Sequence, residues 1–107
     1  MDRRTVQFAP AAERDWLKLP RRDAERILDD LALLESPPWP AGKIKPLRGC
    51  SYWEIKTGDY RSLFLPVRKA VIILRVVHRR DLERAVKQIT PAAVAQWLQK
   101  VKPKDQR

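Results

Sequence analysis

Apolar positions recur along this chain with two different periods. Thr5-Val6-Gln7-Phe8 is short and β-prone, which predicts an opening strand. Pro10 suits the first turn of a helix, Trp16, Leu17 and Leu19 give that helix an apolar side, and Pro20 stops it. From Arg21 to Glu35 the period becomes helical: Ala24, Ile27, Leu28, Leu31 and Leu34 fall on one helix face. Two helices separated by a single proline predict an αα-hairpin lying on a sheet. Ser36-Pro37-Pro38-Trp39-Pro40 cannot continue a helix, and the expected loop runs on to Gly49. Strands are then predicted at Tyr52 to Thr57 and Tyr60 to Val67. Gly58-Asp59 joins them, a Gly-X pair of the kind a type II′ hairpin requires. Ala70 to about His78 is almost continuously apolar, the mark of a central strand covered on both faces. Asp81 is positioned to cap a helix from Leu82 to about Ile89. Thr90-Pro91 then opens a last helix carrying Val94, Trp97, Leu98 and Val101, followed by an expected frayed tail at 102–107.

These elements fit one α+β domain: a small, twisted, antiparallel-rich sheet in the order β-α-α-β-β-β-α, an N-terminal helical hairpin packed on it, and one or two C-terminal helices. A length of 107 residues and 44% hydrophobic content suit a single core rather than disorder. Charge changes the picture more. Residues 41–80 hold ten Lys/Arg against two acids, a net of +8, out of +10 for the chain. Clustered cations repel, so a sheet that gathers them implies a polyanionic partner, nucleic acid before an acidic protein or a membrane surface. No apolar run reaches the roughly 18 residues that span a bilayer, and no apolar segment follows Met1-Asp2-Arg3-Arg4, so neither a span nor a signal peptide is expected. One cysteine, Cys50, cannot form an internal disulfide, which fits the cytoplasm.

With Gly58-Asp59 as the turn, Lys56 faces Arg61, and Glu54, Lys56, Arg61 and Leu63 share one face of the sheet. Two cations directly opposed are either solvated surface residues screened by Glu54 or ligands for an anion. A point-charge lysine with a two-pronged arginine suits a phosphodiester better than a carboxylate. Arg79 and Arg80 end the last strand and are expected at the same edge. His78, the only histidine, is either a structural residue with one hydrogen bond or a general acid or base, since imidazole titrates near about 6.5. Glu54 is the other candidate base. Tyr52, Trp53, Tyr60 and Trp39 could stack on bases, although Trp53 shares the opposite face with Ile55 and is expected in the core. With one His and one Cys, a metal site is not expected, nor is any cofactor.

The strings Leu47-Arg48-Gly49, Tyr52-Trp53-Glu54-Ile55-Lys56, Gly58-Asp59-Tyr60-Arg61 and His78-Arg79-Arg80-Asp81 resemble the RelE/ParE toxin superfamily of bacterial toxin–antitoxin systems. The resemblance runs from about Val6 to Ile89. It implies a toxin core at about 5–89 of one domain spanning 1–107, with a helical extension at about 90–107. It also implies an antitoxin partner that wraps the basic face. In the RelE branch that face binds messenger RNA in the ribosomal A site, and the ribose 2′-OH attacks the adjacent phosphate without a metal. By resemblance, Lys56 is a catalytic basic residue, Arg61 stabilises the transition state, and Arg79 is the arginine closing the last strand. Lys43, Lys45, Arg48 and Arg80 are expected on the RNA backbone.

Two positions depart from the RelE pattern. Glu54 stands where RelE proper has a second lysine, and no tyrosine follows Tyr60. Three readings therefore stay open: a metal-independent endoribonuclease, a ParE-like inhibitor of DNA gyrase, and a non-catalytic RNA-binding module.

Overall fold

A computed structural model describes residues 3–100. The strands are β1 (Thr5–Phe8), β2 (Ile44–Pro46), β3 (Trp53–Thr57), β4 (Tyr60–Pro66) and β5 (Ala70–His78). The helices are α1 (Pro10–Leu17), α2 (Arg21–Leu31), α3 (Leu82–Gln88) and α4 (Pro91–Lys100). A 3₁₀ turn at Ala32–Glu35 extends α2, and another at Arg79–Asp81 leads into α3. The fold is α+β, with one mixed sheet in the order β1-β5-β4-β3-β2. Only β1 runs parallel to its neighbour; the other three pairings are antiparallel.

The helical hairpin forms as the pattern predicts, with two exceptions: Leu17, expected on the apolar side of α1, is 66% exposed, and Leu28 of α2 stands outside the core. Ala24, Ile27, Leu31 and Leu34 are buried against the sheet, but Leu28 is 49% exposed. A helix turns 100° per residue, and four buried positions centred on Ile27 and Leu31 leave Leu28 at the rim of the stripe. The indole N–H of Trp16 donates to the Ala24 carbonyl at 2.9 Å, tying α1 to α2 across Pro20. Beneath them lie Ile55, Phe64, Val71, Ile73 and Val76. The opposite face of the sheet carries a second core of Leu63, Ile72 and Leu74 under Ala85 of α3 and Val94 of α4. β5 is thus covered on both faces, which accounts for its unbroken apolar run. Thr90 caps α4, its Oγ1 accepting from the Ala93 N–H at 3.1 Å. Val101 and the expected tail at 102–107 lie outside the described residues.

β1 ends at Phe8, so β5 beyond Ile73 has no strand on that side. The pairing also slips there: Leu63 lies opposite Arg75 and Phe64 opposite Ile73, so Leu74 is extra. Asp15 of α1 repairs the gap. Its carboxylate accepts from the Val76 N–H at 2.9 Å and from Arg75 Nε at 2.6 Å. The other margin, β2, lies inside the stretch expected to be a loop. A strand of three residues with Pro46 at its end has too little pattern to be read from sequence. The Ile44 N–H donates to the Pro40 carbonyl at 2.9 Å, and Pro46 has no N–H to offer.

Candidate functional site

β3 and β4 meet at a two-residue turn in which Gly58 has φ +58° and, among the described residues, no non-glycine has positive φ. That is the requirement of a type II′ turn, and it sets the register: Thr57 faces Tyr60, Lys56 faces Arg61, Glu54 faces Leu63. Lys45 of β2 faces Glu54 in turn. One face of the sheet therefore presents Lys45, Glu54, Lys56 and Arg61, bounded by the apolar half that α3 and α4 cover.

Arg61 is held in place rather than free. Its Nη1 donates to the carbonyls of Gly58 and Tyr60, at 3.0 Å each, and its Nε lies 3.6 Å from Glu54 Oε1. Its side chain is only 14% exposed. Two of its five N–H donors go to the backbone and one faces Glu54, leaving the pair on Nη2. Glu54 is 3% exposed, with Lys45 Nζ 3.6 Å from Oε2. Its Oε1 has no hydrogen bond among the described residues. A buried carboxylate between two cations offsets the repulsion that Lys56 and Arg61 would otherwise meet. Lys56 is half-buried and has no ion pair among the described residues.

The other candidates separate. The Arg79 N–H donates to the Asp59 carbonyl at 2.7 Å and its Nε lies 3.5 Å from Asp59 Oδ1. Arg79 thus sits at the hairpin turn with a largely exposed side chain. His78 is not brought to Lys56 and Arg61. It pairs in register with Tyr60, with ring centroids 6.0 Å apart, and lies on the helical-hairpin face. Side-chain alternation along β5 is the reason, because Val77 takes the face of Arg61. The His78 Nδ1 accepts from the Arg80 N–H at 3.2 Å, and Arg80 itself is exposed. Arg48 is exposed in the loop between β2 and β3. Lys43 is drawn to the helical hairpin, its Nζ 3.0 Å from Asp30 Oδ2, which also accepts from Thr57 Oγ1 at 2.6 Å.

Both tyrosines beside the site are held neutral. Burial raises the Tyr60 hydroxyl above its usual range, and the charge of Asp23 and its hydrogen bond at 3.4 Å add to this. Burial also raises Tyr52, with a smaller push from Cys50. What sequence reasoning missed are the two carbonyls that fix Arg61 and the carboxylate of Asp30. Neither leaves a side-chain pattern that points across the fold.

Residues 6–83 match the family model described as ParE toxin of type II toxin–antitoxin system, parDE. The chain belongs to the RelE/ParE family of type II toxin–antitoxin toxins. The RelBE2 toxin–antitoxin complex from Mycobacterium tuberculosis contains a chain 35% identical, aligned over 76% of this toxin and 97% of that chain, with a TM-score of 0.60. The isolated E. coli RelE toxin is 26% identical over 81% of this chain and 99% of its own, with a TM-score of 0.60. An E. coli RelE mutant in the free state, 22% identical over 82% of this chain and 99% of its own, shares the fold with a TM-score of 0.65. No curated protein matches the chain.

Proposed function

We propose that this toxin is a metal-independent endoribonuclease that cleaves messenger RNA on the ribosome, in the cytoplasm, and is neutralised by a cognate antitoxin covering its basic face. The observation that carries the reading is the direct opposition of Lys56 and Arg61, with Arg61 already fixed by Gly58, Tyr60 and Glu54. In the reaction the ribose 2′-oxygen attacks the adjacent phosphorus. The new 2′-O–P bond forms as the P–O5′ bond breaks, giving a cyclic 2′,3′-phosphate and a 5′-hydroxyl. The 2′-OH proton passes to solvent, and the Lys56 ammonium protonates the leaving 5′-oxygen. Charge on the non-bridging oxygens grows in the transition state, so cations fixed in advance stabilise it more than the ground state. Arg61 meets those oxygens through Nη2, and Arg79 at the turn takes a neighbouring phosphate. Glu54 orients Arg61 from below. His78, on the other face, takes no part in proton transfer.

A second reading is inhibition of DNA gyrase, favoured by Glu54 within the cationic face and by the match to the ParE family model. One experiment separates them. Purified toxin, either treated with EDTA and then freed of it or left untreated, is incubated with ribosomes and messenger RNA in magnesium buffer. Cleavage is expected in both, and Arg61→Ala or Lys56→Ala should reduce its rate by on the order of 10²–10³ while the circular dichroism spectrum stays unchanged. Wild-type protein that never cleaves, or variants that cleave at wild-type rates, would overturn the nuclease and leave gyrase supercoiling as the assay to run.

A further inference from the structure

The helical-hairpin face carries a feature that the Lys56–Arg61 site does not use. At the end of the sheet away from the Gly58-Asp59 turn lies a cavity of about 740 Å³. Trp39, Trp53 and Pro46 form its apolar wall, and Arg4, Lys45 and Arg68 contribute cations. Among the described residues, no carboxylate lines it. Arg4 lies over the Trp39 ring, 5.6 Å from its centroid, and Trp39 in turn meets Trp53 edge-on at 5.4 Å. Neither Arg4 nor Arg68 has an acidic partner among the described residues. Lys45 joins the two sites, lining this cavity while its Nζ lies 3.6 Å from Glu54 on the other face.

We propose that this cavity binds a nucleotide, an unpaired base against the indoles and its phosphate on the surrounding cations. Aromatic walls take any base through its π-face, and a guanidinium stacked on indole places positive charge beside it. A purely apolar ligand would leave Arg4 and Arg68 unanswered, since Lys45 already faces Glu54, and a free anion would leave the indoles bare. A nucleotide answers both within one unit. The source is either a free nucleotide or a nucleotide of an RNA strand that passes around the β2 margin by way of Lys45. The inference does not rest on cleavage, so either can fail without the other.

The test uses the full chain and follows the indole N–H resonances of Trp39 and Trp53 by NMR. The probes are AMP, a ten-nucleotide single-stranded RNA, and inorganic phosphate. AMP or RNA should shift both indoles, and phosphate alone should not. Comparable binding of AMP identifies a free nucleotide, whereas a response to RNA alone identifies a strand. Arg68→Ala and Trp39→Phe should each weaken the effective probe by roughly fivefold or more. Arg68 sits in an exposed turn, so its variant reports even if replacing Trp39 perturbs folding. Indoles that move with neither nucleotide probe, or that move equally with phosphate, would overturn the proposal. So would unchanged affinity in Arg68→Ala.

Discussion

Arg61 Nε lies 3.6 Å from Oε1 of Glu54, a carboxylate oxygen that is sealed from solvent and makes no hydrogen bond among the described residues. The pair gives Arg61 its orientation but also sets a negative charge beneath a cationic face. Glu54→Gln keeps the shape and removes the charge. Urea denaturation should show a loss of about 1–3 kcal/mol, because a largely buried guanidinium loses its counter-ion. Affinity for single-stranded RNA should rise over the same substitution. Weaker RNA binding with unchanged stability would mean that Glu54 touches RNA instead of supporting Arg61.

Phosphate contacts should dominate binding to RNA, since residues 41–80 carry ten Lys/Arg against two acids. If about 4 phosphates are engaged, log K should fall with log salt at a slope near −3 on a single strand. A flat salt dependence would point to a protein surface as the target.

Leu31 is 1% exposed and Leu28 is 49% exposed, three residues apart on the same helix. Leu31→Ala should cost about 2–5 kcal/mol by denaturant titration. Leu28→Ala should stay within about 0.5 kcal/mol of wild type. Similar losses at both positions would contradict the packing of α2.

The Tyr60 and Tyr52 hydroxyls are both raised above the ordinary tyrosine range, by burial first. Unfolding would let them ionise at the ordinary value, so the unfolded chain binds fewer protons once pH exceeds about 10. Stability from these hydroxyls is therefore intact below that pH and is lost as pH climbs through their folded values. Tyr60→Phe should flatten part of this alkaline decline in a series of thermal melts. An identical decline in the variant would remove Tyr60 as a cause.

Much of the scaffold was legible because it is written locally. The alternation of Thr5 to Phe8, the apolar run from Ala70 to His78 and the Thr90-Pro91 start signal each need only a short window of chain. The Lys56–Arg61 register was legible for the same reason, since Gly58 with positive φ dictates which residues face each other. The misses are long-range. β2 is short and contains a proline. His78 fell on the other face, as side chains alternate along β5. Lys43 turned toward Asp30, thirteen residues earlier in sequence but on a different element. Glu54 reads as a surface charge until Lys45 and Arg61 are seen closing over it.

The β2 margin has a consequence for assembly. Ile44 has already given its N–H to Pro40, Pro46 has none, and the ladder turns the Lys45 N–H inward toward Glu54. Looking outward, this border of the sheet has acceptors and no donors. A strand arriving there could give hydrogen bonds but receive none, so the reciprocal ladder that lets sheets merge end on end cannot form. The toxin therefore has one border closed to fibril-like growth by its backbone, with the Lys45 charge in addition.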